Sequence, residues 1–404
     1  MLIAASLFLS GAIIARLTGA SNSYGLVILR GKYGFKLMEN IAKAHPKLVN
    51  ALADLGLSLG FGAIYSFILF KTKPKTFLLH LAALLLFFVG AGFTTSINNQ
   101  TALQAGGVLF GLAGIGVISI ALNAFAVLTI PNTPAGVMPV VPGVTVPWEA
   151  IFAIVLIAVI HETAHGVLFF IEKLRVKHSG ALLLGFLPIG AFVEPDEKQF
   201  KKHNLQGRRR ILVAGSASNF YTFLILLPLS IALLGFAASF VSGISIASIS
   251  AGTPADGLLT THQVITGVNG VATPAVGAFI DALKSTKPNQ TIALTLQSGA
   301  IVPITLDKTG KIGIQVANYV APMNQFQYAI AAFFAEVFKW IVLLSLALAM
   351  VNLLPLFVTD GHHLIRDEMS RLFPKNEKLA NLTTNAMAVV ILLLLLINML
   401  PFVK

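Results

Sequence analysis

Eight stretches of mostly apolar residues, at 1–17, 48–70, 77–93, 105–130, 147–170, 211–236, 328–354 and 383–403, constrain this chain more than any other feature. Each approaches or exceeds the roughly 20 residues that a helix needs to cross a bilayer. Within hydrocarbon a backbone can satisfy its hydrogen bonds only internally, so such runs are expected to be helices. Composition agrees, since 56% of the 404 residues are hydrophobic and 11% are charged, against about a quarter charged in an ordinary soluble domain. The implied fold class is a polytopic α-helical membrane protein with about eight transmembrane helices. The first run has no basic segment before it and no small-residue cleavage site after it, so it reads as a retained helix rather than a signal peptide.

A net charge of +12, from 28 basic and 16 acidic residues, could in isolation point to nucleic acid or anionic lipid. The basic residues instead flank apolar runs, and no basic segment interleaved with aromatics occurs, so the bilayer is the expected partner and nucleic acid is not. The loop 172–210 carries Lys173, Arg175, Lys177, Lys198, Lys201, Lys202, Arg208, Arg209 and Arg210, which places it in the cytoplasm by the positive-inside rule. Counting outward puts both termini outside and the basic segment 30–47 inside. Lys71, Lys73 and Lys75 then fall outside, against the rule, unless a neighbouring run is a hairpin.

The chain divides into N-terminal membrane helices (1–146), a first core part (147–240), an insert (241–321) and a second core part (322–404). In the insert the apolar runs shorten, β-branched residues alternate with polar ones, and Gly, Pro and Asn-Gly punctuate them, which predicts a β-rich module. Strands are expected at 291–296 and 301–306 and a short helix at 276–284, and helix parity puts this module outside the cell. The uncharged, Pro-rich loop 131–147 is expected at the outer surface. No long-period internal repeat occurs.

The chain has no cysteine, so a metal would have to sit on His and carboxylates. The sequence His161-Glu162-Thr163-Ala164-His165 follows an unbroken apolar run. Residues i and i+4 share a helix face, so two imidazoles there can grip one ion, with Glu162 beside it as a general base. Such a site can activate water for hydrolysis without a covalent intermediate. Ionisable residues at membrane depth are costly, which favours a functional reading over a chance motif.

A catalytic zinc usually has three protein ligands. The seventh run ends Asn352-Leu353-Leu354-Pro355-Leu356-Phe357-Val358-Thr359-Asp360-Gly361, at the level that topology assigns to His161 and His165. Asp360 is therefore the expected third ligand of one Zn2+ per chain, with His362 and His363 as rivals and an ordinary helix-ending Asp-Gly turn as the plain alternative.

Together these residues resemble the site-2 protease family of intramembrane metalloproteases. Further motifs stand in the expected order: Gly190-Ala191-Phe192-Val193-Glu194, Gly215-Ser216-Ala217-Ser218-Asn219, and Asn352, Pro355 and Asp360-Gly361. The resemblance implies a zinc metalloendopeptidase whose third ligand is the aspartate of the last motif. Thr359 and Phe357 depart from the family's usual Leu and second Pro. It implies that 185–194 is a strand-like loop dipping into the membrane to pair with an unwound substrate, so Gly190 and Phe192 are expected substrate-binding residues; Asn352, just before the helix-breaking Pro355, is expected to offer its amide to that substrate or, equally, to link helices.

By resemblance the insert is a PDZ-like α/β domain. It has Ala251-Gly252-Thr253-Pro254-Ala255 and Val268-Asn269-Gly270, although His262-Gln263 replaces the usual Gly-Asp pair. Substrates would be membrane proteins with a transmembrane segment, cleaved in regulated intramembrane proteolysis, and a peptide is the expected ligand of the insert. Gly215 and Asn219 read as small residues for helix packing, and Glu194 as a solvated loop carboxylate. Two rival readings remain, an intramembrane metal or proton transporter and an inactive PDZ-bearing scaffold.

Overall fold

The computed structural model describes residues 2–90 and 100–403 and separates into two compact units, Met1–Leu227 with Trp340–Lys404, and Pro228–Lys339. The chain begins α1 (Leu2–Thr18), β1 (Ser21–Ser23), β2 (Leu26–Gly31), α2 (Phe35–Ala44), α3 (Pro46–Phe70), α4 (Pro74–Leu85), α5 (Gln100–Thr129) and α6 (Ala150–Ile171). It continues β3 (Val176–Leu184), β4 (Leu187–Pro195), α7 (Glu197–Lys202) and α8 (Leu205–Ala238). Then follow β5 (Val241–Ile249), β6 (Val264–Val268), β7 (Val271–Ala272), α9 (Val276–Lys284), β8 (Thr291–Leu296), β9 (Ile301–Thr305) and β10 (Ile314–Val320). The last helices are α10 (Gln325–Leu353), α11 (Asp360–Leu372) and α12 (Glu377–Val403).

Among the described residues six helices are long and apolar enough to cross a membrane, rather than the eight expected. They are Pro46–Phe70, Leu103–Thr129, Ala150–Ile171, Leu205–Ala238, Pro322–Leu353 and Glu377–Phe402. The first expected span is the 17-residue α1, which packs against β1, β2 and β3. The third is α4 extended by a π-helical turn, Leu86–Gly90; residues 91–93 lie outside the described residues.

The basic loop 172–210 is also more ordered than its charge suggested. Strands β3 and β4 form an antiparallel hairpin, and β2 pairs with β3 from Leu26 opposite Leu184 to Gly31 opposite Ser179, giving the sheet order β1-β2-β3-β4. The N-terminal segment and the basic loop therefore share one sheet. The edge strand β4 lies along α6.

Arg208, Arg209 and Arg210 fall in the first turns of α8 rather than in a solvated loop, and each meets a carboxylate. Arg210 binds Asp54 of α3 at 2.7 and 2.8 Å, Arg208 pairs with Asp367, and Arg209 clasps Glu368 at 2.6 and 2.9 Å. Tyr65 of α3 also donates to Glu368, at 2.8 Å. These contacts fix α11 against α8 and α3. The surrounding core is apolar, with Leu57, Leu84, Phe88, Leu168, Ile211, Phe220 and Leu353 buried.

The second unit holds a sheet of order β10-β5-β6-β8-β9, with β7 paired to β6. The strand and helix expectations for 291–296, 301–306 and 276–284 correspond to β8, β9 and α9. Ile244, Ile246, Ile265, Phe279, Leu294 and Ile304 form its own core.

Candidate metal centre

The two imidazoles come from one face of α6, one turn apart, and both are buried. Their Nε2 atoms lie 3.1 Å apart, and Asp360 Oδ2 stands 3.3 Å from that of His161 and 3.2 Å from that of His165. Asp360 is carried by the first turn of α11. The Thr359 hydroxyl caps that helix, accepting from the His362 N–H at 3.3 Å and donating to the Leu354 carbonyl at 2.6 Å. Gly361 is required, because a Cβ there would overlap the carbonyls of Leu353 and Leu354.

Three electron-pair donors that converge so closely repel unless a cation lies between them. A tetrahedral ion bound at about 2.0–2.1 Å holds its ligand atoms roughly 3.3 Å apart, which matches the observed spacing. The outer contacts fit the same reading. His165 Nδ1 donates to the Ile211 carbonyl at 2.7 Å, leaving its Nε2 as the free donor. Asn219 places Nδ2 3.1 Å from His161 Nδ1, while its own Oδ1 is buried without a partner. Turning that amide over resolves both: Oδ1 accepts from Nδ1–H, the tautomer that frees His161 Nε2 for a metal. The residues present thus fit a zinc-type ion.

Glu162 is anchored by the Val193 N–H of β4, which donates to its Oε2 at 2.9 Å. A cavity of about 480 Å³ opens beside it, lined by His161, Glu162, Ile189, Gly190, Ala191 and Asn352 together with apolar residues of α6 and α10. Asn352 Nδ2 lies 3.4 Å from His161 Nε2. Gly190 thus faces the cavity, whereas Phe192 is absent from its lining and sets its ring over Gly180 of β3. His362 is buried on α11, outside the convergent group, and its Nδ1 has no partner; His363 stacks edgewise on it.

Two imidazoles at helical spacing, a carboxylate ligand from a distant helix and a second carboxylate beside them are the arrangement of a metal-dependent hydrolase. The pattern of peptidase family M50 matches residues 149–401, which contain all four residues. The chain belongs to peptidase family M50. It is also similar to an uncharacterized protein of Methanocaldococcus jannaschii, 28% identical over 268 residues that cover 64% of this chain and 69% of that one. As an M50 member with six helices among its described residues apolar enough to span a bilayer, it is a metallopeptidase of the membrane-embedded class.

Sequence reasoning placed Gly215 and Asn219 on a packing face. Gly215 does serve close approach, since a Cβ there would collide with the His161 imidazole, but Asn219 reaches the His161 ring itself. A polar residue four after a glycine on an apolar helix was the available signal. The carboxylate clamps were also missed, although Asp54, the one carboxylate inside the run 48–70, called for a partner.

Proposed function

We propose that the chain is an intramembrane zinc metalloendopeptidase that hydrolyses peptide bonds in or near transmembrane segments of other membrane proteins. The observation that carries this reading is the convergence of His161, His165 and Asp360 beside Glu162, with both histidines and Glu162 on a helix apolar enough to lie in a bilayer. His161 Nε2, His165 Nε2 and Asp360 Oδ2 would hold the zinc. When bound, zinc acidifies water and polarises a carbonyl.

The chain's own groups do the rest. Glu162, held by the Val193 N–H, takes the proton of the attacking water and returns it to the leaving amine. The Val193 N–H points away from β3, so by strand alternation the backbone of Ala191 also addresses the free edge of β4, where an extended substrate can add as a further strand. Gly190 leaves room for that approach. Phe192, whose backbone groups face β3 by the same alternation, would act by holding that edge in place, and Asn352 would offer its amide to the substrate carbonyl.

The distribution of basic residues supports placing the sheet β1-β2-β3-β4 at the cytoplasmic side of the cell membrane, with water reaching the site from there. The insert, with α9 packed on β6 and β10, supports a PDZ-like module that selects substrates by binding a peptide. Deleting 241–321 should then change which substrates are cut without removing the metal.

The deciding experiment uses purified protein in proteoliposomes with a panel of transmembrane substrates. Cleavage should stop with a chelator and return with zinc. Glu162→Gln should lose cleavage by about 10²-fold or more while keeping one zinc per chain. Undiminished cleavage by that variant would remove Glu162 from the mechanism, and cleavage indifferent to chelator would remove the metal.

A further inference from the structure

The cavity beside Glu162 has one wall that does not come from the family core. Its other lining residues fall between Ile154 and Asn352, inside the matched segment, but Val140 also lines it and belongs to the loop that joins α5 to α6. That loop, 131–147, carries no charge and was expected only to connect helices at the outer surface.

The loop is built to hold Val140 in place. At one end the Gly136 N–H donates to the Asn398 carbonyl of α12 at 3.2 Å, and the Asn398 side chain binds Asn123 of α5 at 2.8 Å. A Cβ on Gly136 would overlap both asparagines. At the other end Thr145 closes a tight turn: its hydroxyl donates to the Pro139 carbonyl at 2.5 Å and accepts from the Val141 N–H at 2.7 Å. The N–H of Gly143 donates to the Val146 carbonyl at 2.7 Å, and Gly143 lies against the Trp148 ring with a positive φ of 78°. Val140 sits between these anchors, half exposed, with its isopropyl group at the cavity.

We propose that Val140 is a specificity-determining residue: it forms the wall of an apolar subsite beside the metal centre and limits the size of the substrate side chain next to the scissile bond. The inference rests on the peptidase reading given above. The cavity that Val140 lines also presents Ile154, Ile157, Leu344 and Leu348, so an apolar subsite there takes an aliphatic or aromatic side chain. The polar side chains of the same cavity are His161, assigned to the metal, and Glu162 and Asn352, assigned to the peptide bond. Selection by size thus comes from a segment outside the M50 core, and M50 proteins with other loops would differ in preference at this subsite.

The test scans one position flanking the cleavage site of a transmembrane substrate through Gly, Ala, Val, Leu and Phe. It compares wild type with Val140→Ala and Val140→Phe, each verified to hold wild-type zinc. Because a methylene in an apolar pocket is worth about tenfold or more, V140A should raise kcat/KM for Phe relative to Ala by about tenfold. V140F should lower it for Leu and Phe by at least as much while sparing Gly and Ala. A second readout needs no turnover: in the E162Q background, p-benzoylphenylalanine placed at Val140 should photo-crosslink the substrate segment. The same group at Val144, exposed and away from the cavity, should not.

Wild-type cleavage with an unchanged size profile in both variants, and no crosslinking at 140 above that at 144, would overturn the role of Val140 and leave the peptidase reading standing. A wild-type protein that holds zinc but cuts none of the panel would overturn that reading first.

Discussion

Two polar clusters occupy the same helix bundle and meet at opposite ends of α11, and they are composed by opposite rules. Near the C-terminal end, Arg208, Arg209 and Arg210 face Asp367, Glu368 and Asp54, with Arg371 as a second partner of Glu368, so every one of these cations meets a carboxylate. At the N-terminal end Asp360 meets two imidazoles whose outer nitrogens are already engaged, so only electron-pair donors point inward. The first cluster is complete as a set of side chains, whereas the second calls for a cation. The difference separates a structural ion-pair network from a candidate metal site without reference to any motif.

Emptying the second cluster should give the largest effect. Asp360→Ala is expected to reduce bound metal well below one per chain, measured by elemental analysis, and to lower cleavage by about a thousandfold, or roughly 4 kcal/mol of barrier. Full metal occupancy in that variant would mean that the convergence has another cause.

Breaking the first cluster should instead cost stability while leaving the metal ligands intact. Glu368→Gln leaves Arg209 buried and unpaired, for an expected loss of about 3 kcal/mol, read by denaturant unfolding in detergent. Replacing both partners by methionine should cost much less, because the orphaned charge disappears with its partner. Burial tends to raise the Glu368 pKa, but hydrogen bonds from Arg209 and Tyr65 and the charges of Arg209 and Arg371 outweigh it, so the group sits below the ordinary carboxylate range. Its stabilisation is therefore full above the unfolded value of about 4.3 and is lost as pH falls through the lower folded value. E368Q should flatten that acid limb of stability against pH, and an unchanged limb would assign it to other carboxylates.

Smaller effects sharpen the contrast. Asn219→Ala should weaken zinc binding by about 10–100-fold in chelator competition, as for other groups that orient a ligating histidine, whereas Asn219→Asp keeps an acceptor and should retain most of the affinity. Equal losses in the two variants would reduce Asn219 to a packing role. Thr359→Val removes the cap of α11 and should cost about 1 kcal/mol, with Thr359→Ser restoring it. A loss of metal from T359V larger than its loss of stability would show that the cap also aims Asp360.

The legible parts of the fold were those whose signal is local. Four-residue spacing within α6 exposes His161 and His165, and Asp360 stands out because carboxylates are rare at that depth. Strand β2 was not legible, since its partner β3 lies about 150 residues away and six residues between an apolar helix and an amphipathic one carry no pairing signal. Arg208, Arg209 and Arg210 were read as topology signals, because positive charge beside an apolar run looks the same whether water or a carboxylate faces it. The Asn219 contact was hidden for a related reason: helical periodicity shows which face a residue occupies but not which ring nitrogen it meets.

The separation of the ligands along the chain has a temporal meaning. Asp360 follows His165 by 360 − 165 = 195 residues, which a ribosome adds in about 10–40 s. Throughout that interval the nascent chain holds two of the three proposed ligands, and they cannot close on an ion until α10 and the start of α11 have been made. A partly synthesised copy therefore lacks the complete centre.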